Sequence, residues 1–233
     1  MKIAIITGAS AGIGKASAEE FVKQGFQVFN IARRKANLAG VTDLHCDLAD
    51  PAARQDISQT LRDILAKATQ VSFVHNACRM AKDTVDHCDV NDLSITLEVN
   101  IAAPNHLNQI VLPLLPSGSS LIYIGSTLSE KAVANSFSYV TSKHAVIGMM
   151  RATCQDLKGR GIHTCCICPG FTDTEMLRTH VGDDPNTMKF IASLNTFDRM
   201  IEPKEIASLV LWAHNNPVIN GSVLHANLGQ IES

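Results

Sequence analysis

The 233-residue chain predicts an α/β fold: one doubly wound domain, residues 1–233, with a seven-stranded parallel sheet and helices on both faces. Three observations predict it. Short apolar runs alternate with segments of helical period along the whole length, the order of β–α–β units. The first run, Ile3 to Ile6, is apolar at every position and suits a strand buried on both faces. That run leads straight into a glycine-rich loop and a helix-like segment, an arrangement that turns helix N-terminal N–H groups toward an anion. The apolar share of 45% and charged share of 18% belong to a globular chain, and no linker, repeat, low-complexity segment or added domain is expected.

Each element has its own warrant. After the first strand comes Thr7-Gly8-Ala9-Ser10-Ala11-Gly12-Ile13-Gly14, then a helix to about Gln24. Gly8, Gly12 and Gly14 allow a tight turn and close backbone approach. A nucleotide-triphosphate loop would need a glycine where Ala9 stands and a hydroxyl residue where Ala16 follows Lys15, so that reading fails twice. Gly25 to Ile31 reads as the second strand, with Ala32-Arg33-Arg34 at its tip, and Val41 to Cys46 as the third. Asp50-Pro51 suits a helix N-cap and first turn, and Ile57, Leu61, Ile64, Leu65 and Ala68 form a helical stripe behind it. Val71 to His75 is the fourth strand. Residues 89 to 115 look largely helical, with Asn100 inside and Pro113 and Pro116 as stops. Leu121 to Gly125 is the fifth strand, Ser138 to about Leu157 a long helix, and Ile162 to Cys168 the sixth strand. Cys165 and Cys168 are three apart on that strand, point to opposite faces, and read as small core residues. No His, Cys or Asp group has zinc spacing, so no metal is expected. Residues 171 to 200 are the least patterned. Met176, Leu177, Met188, Phe190, Leu194 and Phe197, interspersed with Arg178, His180 and Lys189, read either as a lid over an apolar or mixed substrate or as short packed helices. Glu202-Pro203 opens a last helix, with Ile206, Leu209, Val210 and Ala213 as its stripe, and Ser222 to Ala226 is the seventh strand.

The chemistry centres on Ser126 to Lys143. Tyr139 and Lys143 stand four residues apart, one turn on one helix face. An ammonium beside a phenol favours the phenolate and lowers the phenol's pKa. A phenol brought toward neutrality serves as general acid or base. Ser126, at the end of a strand, can bring a hydroxyl to the same point.

Taken together, TGASAGIG and the Ser126, Tyr139, Lys143 spacing resemble the short-chain dehydrogenase/reductase family, from Lys2 to about Gly229. The resemblance implies a Rossmann-type fold with a nicotinamide cofactor at the carboxyl ends of the strands. Its cofactor contacts would be Gly8, Ser10, Gly12, Ile13 and Gly14 in the loop, and Arg33 and Arg34 at the second strand's tip. Asp47 and Leu48 would lie at the adenine, with Asn76 and Ala77 after the fourth strand. Tyr139 and Lys143 would reach the nicotinamide ribose, and Pro169, Gly170, Thr172 and Thr174 the nicotinamide and phosphates. Ser126 would hold the carbonyl oxygen, Tyr139 would pass it a proton, Lys143 would tune Tyr139, and Asn100 would hold a relay water. The tip of the second strand carries two guanidiniums and no carboxylate, which favours NADP(H) over NAD(H). The chain departs from the family pattern at His75 and Cys78, where Asn and Gly are usual, and at Ala226-Asn227-Leu228-Gly229. Cys78 is expected to narrow the site or shift the backbone.

The expected function is interconversion of a carbonyl and a secondary alcohol on a small molecule. The alternatives are a 3-oxoacyl thioester (acyl-carrier-protein) reductase and a non-catalytic NADP-binding sensor. The family commonly forms homodimers or homotetramers through the helices at 89–115 and 138–157. A net charge of −2 without a basic stripe excludes a nucleic-acid or polybasic membrane partner. No apolar stretch approaches the ~20 residues of a membrane span. Seven scattered cysteines suggest reduced thiols and a cytoplasmic chain.

Overall fold

A computed structural model describes residues 1–231; residues 232 and 233, the end of the expected domain, lie outside the described residues. Seven strands form one sheet: β1 (Lys2–Thr7), β2 (Gln27–Ala32), β3 (Val41–His45), β4 (Gln70–His75), β5 (Ser120–Ile124), β6 (His163–Pro169) and β7 (Ser222–Ala226). Their order is β3-β2-β1-β4-β5-β6-β7, and every pairing is parallel. The chain moves outward from β1 to one edge, then returns to build the other half from β4. The order therefore reverses between β1 and β4, where a crevice opens beyond the carboxyl ends of the strands.

The apolar runs are buried on both faces because a core lies on each. Ile3 and Ile5 of β1 pack with α3 (Ser58–Leu65), α5 (Ala103–Val111) and α6 (Phe137–Asp156). Ala4 and Ile6 pack on the opposite face with α1 (Gly12–Lys23) and α9 (Pro203–Asn215). The alternation of a strand's side chains dictates this division. It also separates Cys165 from Cys168, which lie buried in opposite layers as core residues.

Two stretches differ from expectation. The helix expected over 89–115 is broken into α4 (Val90–Leu97), a π turn (Glu98–Ala102) and α5, with a 3₁₀ turn at Leu112–Leu114. Asn100 sits inside the π turn, an irregularity that often marks a working position in a helix. The helix expected behind Asp50-Pro51 is divided into α2 (Pro51–Asp56) and α3, while residues 171–200 hold two short helices, α7 (Glu175–Val181) and α8 (Pro185–Ala192), one of the two readings expected there. Among the described residues, no helix is long and apolar enough to cross a membrane.

Candidate active site

The carboxyl ends of the central strands open into a cavity of about 990 Å³. Of the catalytic and cofactor-binding residues expected from the sequence, all but Gly14 and Asn100 line it. Those two stand behind its wall. A Cβ at Gly14 would come within 2.3 Å of the Gly8 carbonyl oxygen and 2.4 Å of Asn76 Nδ2, so α1 reaches the end of β1 this closely only with glycine there. Asn76 ties the two halves of the crevice together. Its Nδ2 donates to the Thr7 and Gly8 carbonyls at 3.0 and 3.2 Å, while Thr7 Oγ1 accepts from the backbone N–H of Asn76 and Ala77, each at 3.0 Å.

The α1 N-terminus opens at this loop with Ala11 as N-cap, no side-chain cap and no acidic residue in its first turn. Free N–H groups and the positive end of the helix dipole thus face a cavity lined by Gly8, Ser10, Gly12 and Ile13. That chemistry fits a pyrophosphate. Pro169, Gly170, Thr172 and Thr174 line the far wall. Thr174 also caps α7, its Oγ1 accepting from Leu177 N at 3.2 Å.

At the centre stand Tyr139 and Lys143, one turn apart on α6 and both turned inward, 7% and 2% exposed. Asp83 fixes the start of that helix: its carbonyl accepts from Phe137 N at 3.2 Å and its Oδ1 from Ser138 N at 3.0 Å. Lys143 Nζ lies 5.5 Å from the Tyr139 ring centre and donates to the Ile124 carbonyl at 2.8 Å. Ser126 follows β5 after Gly125; its Oγ accepts from Leu128 N at 3.1 Å and its own N–H donates to Ser129 Oγ at 3.1 Å. The structure thus brings Ser126, Tyr139 and Lys143 to one cavity. Asn100 lies behind them, with three side-chain hydrogen bonds to protein. Its Nδ2 donates to Ser142 Oγ at 2.8 Å and to the Arg79 carbonyl at 2.9 Å, and its Oδ1 accepts from Arg79 N at 2.7 Å.

The electrostatics correct one expectation. Burial pushes the Tyr139 phenol up from its ordinary pKa, outweighing the Lys143 charge and the Ser126 hydroxyl, which pull it down. For Lys143, burial acts downward, but the ionisable Cys78, Tyr139, Cys166 and Cys168 around it raise its pKa on balance. At neutral pH the pair is therefore a neutral phenol beside an ammonium: a proton donor held next to a positive charge.

The arginines at the β2 tip are both at the cavity, and each faces a carboxylate. Arg33 Nη1 is 3.8 Å from Asp47 Oδ2, and Arg34 pairs with Glu175 at 3.2 Å. Cys78 lines the cavity beside α7, its Sγ lying 3.8 Å from Met176 Sδ. Met176, Leu177 and His180 line the cavity, while Phe190 and Phe197 stand exposed away from it, so only the α7 half of the expected lid covers the site.

Sequence reasoning missed Asn30, Ser142 and Glu175. Buried Asn30 accepts from Ala9 N at 2.8 Å and donates to the Arg34 carbonyl at 3.1 Å and Asp43 Oδ1 at 2.8 Å. It thereby fixes the glycine loop to the arginine tip. An amide inside the apolar run GFQVFNI is the signal that could have found it, since a buried polar side chain needs partners.

The model of the short chain dehydrogenase family matches residues 2–184. The chain belongs to that family. It is an oxidoreductase acting on CH–OH or carbonyl groups. This dehydrogenase is 28% identical to dehydrogenase/reductase SDR family member 6 of Danio rerio, over 91% of this chain and 89% of that one. It is also 28% identical to the 3-oxoacyl-(acyl-carrier-protein) reductase FabG of Salmonella typhimurium, over 98% and 96%. Its fold matches ligand-free aldohexose dehydrogenase of Thermoplasma acidophilum with a TM-score of 0.90 at 24% identity, over 98% and 93% of the two chains.

Proposed function

We propose that this short-chain dehydrogenase interconverts a carbonyl and a secondary alcohol on a small molecule, with NADP(H) favoured over NAD(H). The observation that carries the reading is the buried Tyr139–Lys143 pair beside Ser126, in the same cavity as the uncapped α1 N-terminus. The nicotinamide, when bound, supplies or accepts the hydride. Gly8, Ser10, Gly12 and Ile13 would hold its pyrophosphate, with Gly14 shaping the loop. Asp47, Leu48, Asn76 and Ala77 would line the adenosine side, and Pro169, Gly170, Thr172 and Thr174 the nicotinamide side. Arg33 and Arg34 would meet the 2′-phosphate.

Ser126 Oγ donates a hydrogen bond to the substrate oxygen and fixes it over Tyr139. Tyr139 gives that oxygen a proton as negative charge develops on it, and takes the proton back in the reverse direction. Lys143 keeps its positive charge against the phenol and stabilises the phenolate left behind. Asn100 would hold the water that returns the proton from bulk, and its bonds to Arg79 and Ser142 tie the π turn to the segment after β4 and to α6.

Seven free thiols suit a reducing compartment such as the cytoplasm. The test is loss of reduced nicotinamide absorbance with NADPH and with NADH against a panel of ketones, diketones and aldehydes. Tyr139→Phe is expected to lower turnover by roughly 10²–10⁴. A Tyr139→Phe enzyme with intact turnover would sink the mechanism.

The similarity to FabG favours a second reading, reduction of a 3-oxoacyl thioester. A carrier-protein substrate needs a basic docking surface. In the late segment Arg178 is tied to Asp173 at 2.7 Å and Arg199 to Glu205 at 2.7 Å, which neutralises those cations and supports the small-molecule reading. Comparing a 3-oxoacyl thioester with small diketones separates the two. A non-catalytic sensor has no use for Ser126, Tyr139 and Lys143 together, and Tyr139-dependent turnover would exclude it.

A further inference from the structure

The pairing of Arg34 bears on which cofactor the site accepts. Its Nη1 and Nη2 donate to Oε1 and Oε2 of Glu175 at 3.4 and 3.2 Å, fork against fork. The two residues come from opposite sides of the cavity mouth: Arg34 follows the tip of β2, and Glu175 is the first residue of α7. Both line the cavity. Their side chains are 63% and 64% exposed, so the pair contributes little to the fold and exchanges readily. Nor does α7 depend on it for capping, since Thr174 already caps that helix. The contact spans the place where Arg34 would meet an adenosine 2′-phosphate.

We propose that Glu175 is a cofactor-discriminating residue: its carboxylate competes with the adenosine 2′-phosphate for Arg34. The inference rests on the NADP(H) reading of Arg33 and Arg34. A phosphate monoester carries about −1.5 to −2 charges and three acceptor oxygens, against one charge and two oxygens on the carboxylate. The phosphate therefore wins Arg34, but only after displacing Glu175 and with a like charge left nearby. A 2′-hydroxyl has no charge with which to win that exchange and leaves the pair closed. Glu175 thus holds the preference for the phosphorylated cofactor below what two arginines alone would give, and the exchange frees α7 from the β2 tip.

The test is calorimetric titration of the full chain with adenosine 2′,5′-bisphosphate and with adenosine 5′-monophosphate, for the wild type, Glu175→Gln and Arg34→Gln. We expect Glu175→Gln to tighten the bisphosphate roughly two- to fivefold, the scale of an exposed ion pair, and to leave the monophosphate unchanged. Arg34→Gln should remove most of the difference between the two nucleotides. If Arg34→Gln does so while Glu175→Gln leaves the ratio untouched, the competition is overturned and the NADP(H) reading stands. If the wild type shows no preference but Glu175→Gln acquires one, the competition stands and the NADP(H) reading falls. If neither protein distinguishes the nucleotides, both fall.

Discussion

His75 occupies a position where the family pattern has asparagine, and the fold encloses it. Its ring stacks on Tyr123 with centroids 4.9 Å apart and meets Phe73 edge-on at 4.6 Å. Nε2 lies 2.8 Å from Asn108 Oδ1, and Asn108 Nδ2 donates to the Tyr123 hydroxyl at 2.9 Å, so Nε2 carries the proton and donates. Nδ1 has no partner. A second proton there would be buried without an acceptor. Burial accordingly pushes the His75 pKa down to about 4, against the hydrogen bond that His75 donates to Asn108. Buried His214 is likewise pushed down to about 4, by burial first and then by the charges of His163 and Lys2. Both folded values lie below the ~6.5 of the unfolded chain, so the unfolded state binds more protons between about pH 6.5 and 4. Stability is fully present above that window and falls with pH through it. Each histidine is expected to remove about 2 kcal/mol by pH 5. Urea midpoints at pH 7.5 and pH 5 should therefore differ, and His75→Asn should shrink the difference. Equal pH dependence in the variant would mean that His75 is not one of the groups responsible.

At the scale of the element, α2 is short but holds a buried charge. Arg54 is 3% exposed. Its Nη2 donates to Glu98 Oε1 at 2.5 Å, its Nε to His106 Nδ1 at 3.1 Å, and its Nη1 to the Leu48 carbonyl. One side chain thereby joins the segment after β3 to the π turn that carries Asn100. Removing it leaves a carboxylate and a carbonyl without their donor. Arg54→Met is expected to cost about 3 kcal/mol, with the denaturant midpoint falling at constant slope. Glu98→Gln should cost less, because the amide oxygen still accepts from Arg54. A loss below about 1 kcal/mol for Arg54→Met would show that the buried pair contributes nothing net. None of this was legible in the sequence, where no local pattern marks Arg54 and Glu98 as partners. The strands were legible because β1, β4, β5 and β6 are buried along their length and show as short, largely apolar runs between turn signals. The break in the 89–115 helix was not, because an apolar stripe looks alike whether one turn inside it is α or π. For 171–200 the sequence left a lid and short packed helices equally open, because Ile191 is the one buried residue of α7 and α8 among those described, too few for a periodic stripe.

Across the whole molecule, the parts of the site that were legible lie where a motif coincides with the end of a predicted strand. Gly8, Asn76 and Ser126 follow β1, β4 and β5, and the parallel sheet brings those ends together whatever lies between. Asn30 bonding Ala9, and Glu175 bonding Arg34, depend on contacts across 21 and 141 residues that no local pattern carries. Association is the remaining question at this scale, and the outer surface bears on it. Val85, Val90 and Phe137 are exposed large apolar residues. The loop carrying Val85 is joined to the start of α6 through the Asp83 carbonyl and Phe137 N, which draws Val85 and Phe137 toward one face. Val90 opens α4, and α4 packs on α6. Apolar surface gathered on two neighbouring helices is what a self-association face requires, and a stable one buries about 1,200–2,000 Å² in all. Light scattering on the eluted protein is expected to give two or four times the 25.1 kDa chain mass. Val90→Asp combined with Phe137→Ser should move that mass toward one chain while the far-ultraviolet circular dichroism stays unchanged, because neither residue belongs to the two core layers. A wild-type mass of one chain at every concentration would reject the face as an interface. An unchanged oligomer in the double variant would place the contact elsewhere on the surface.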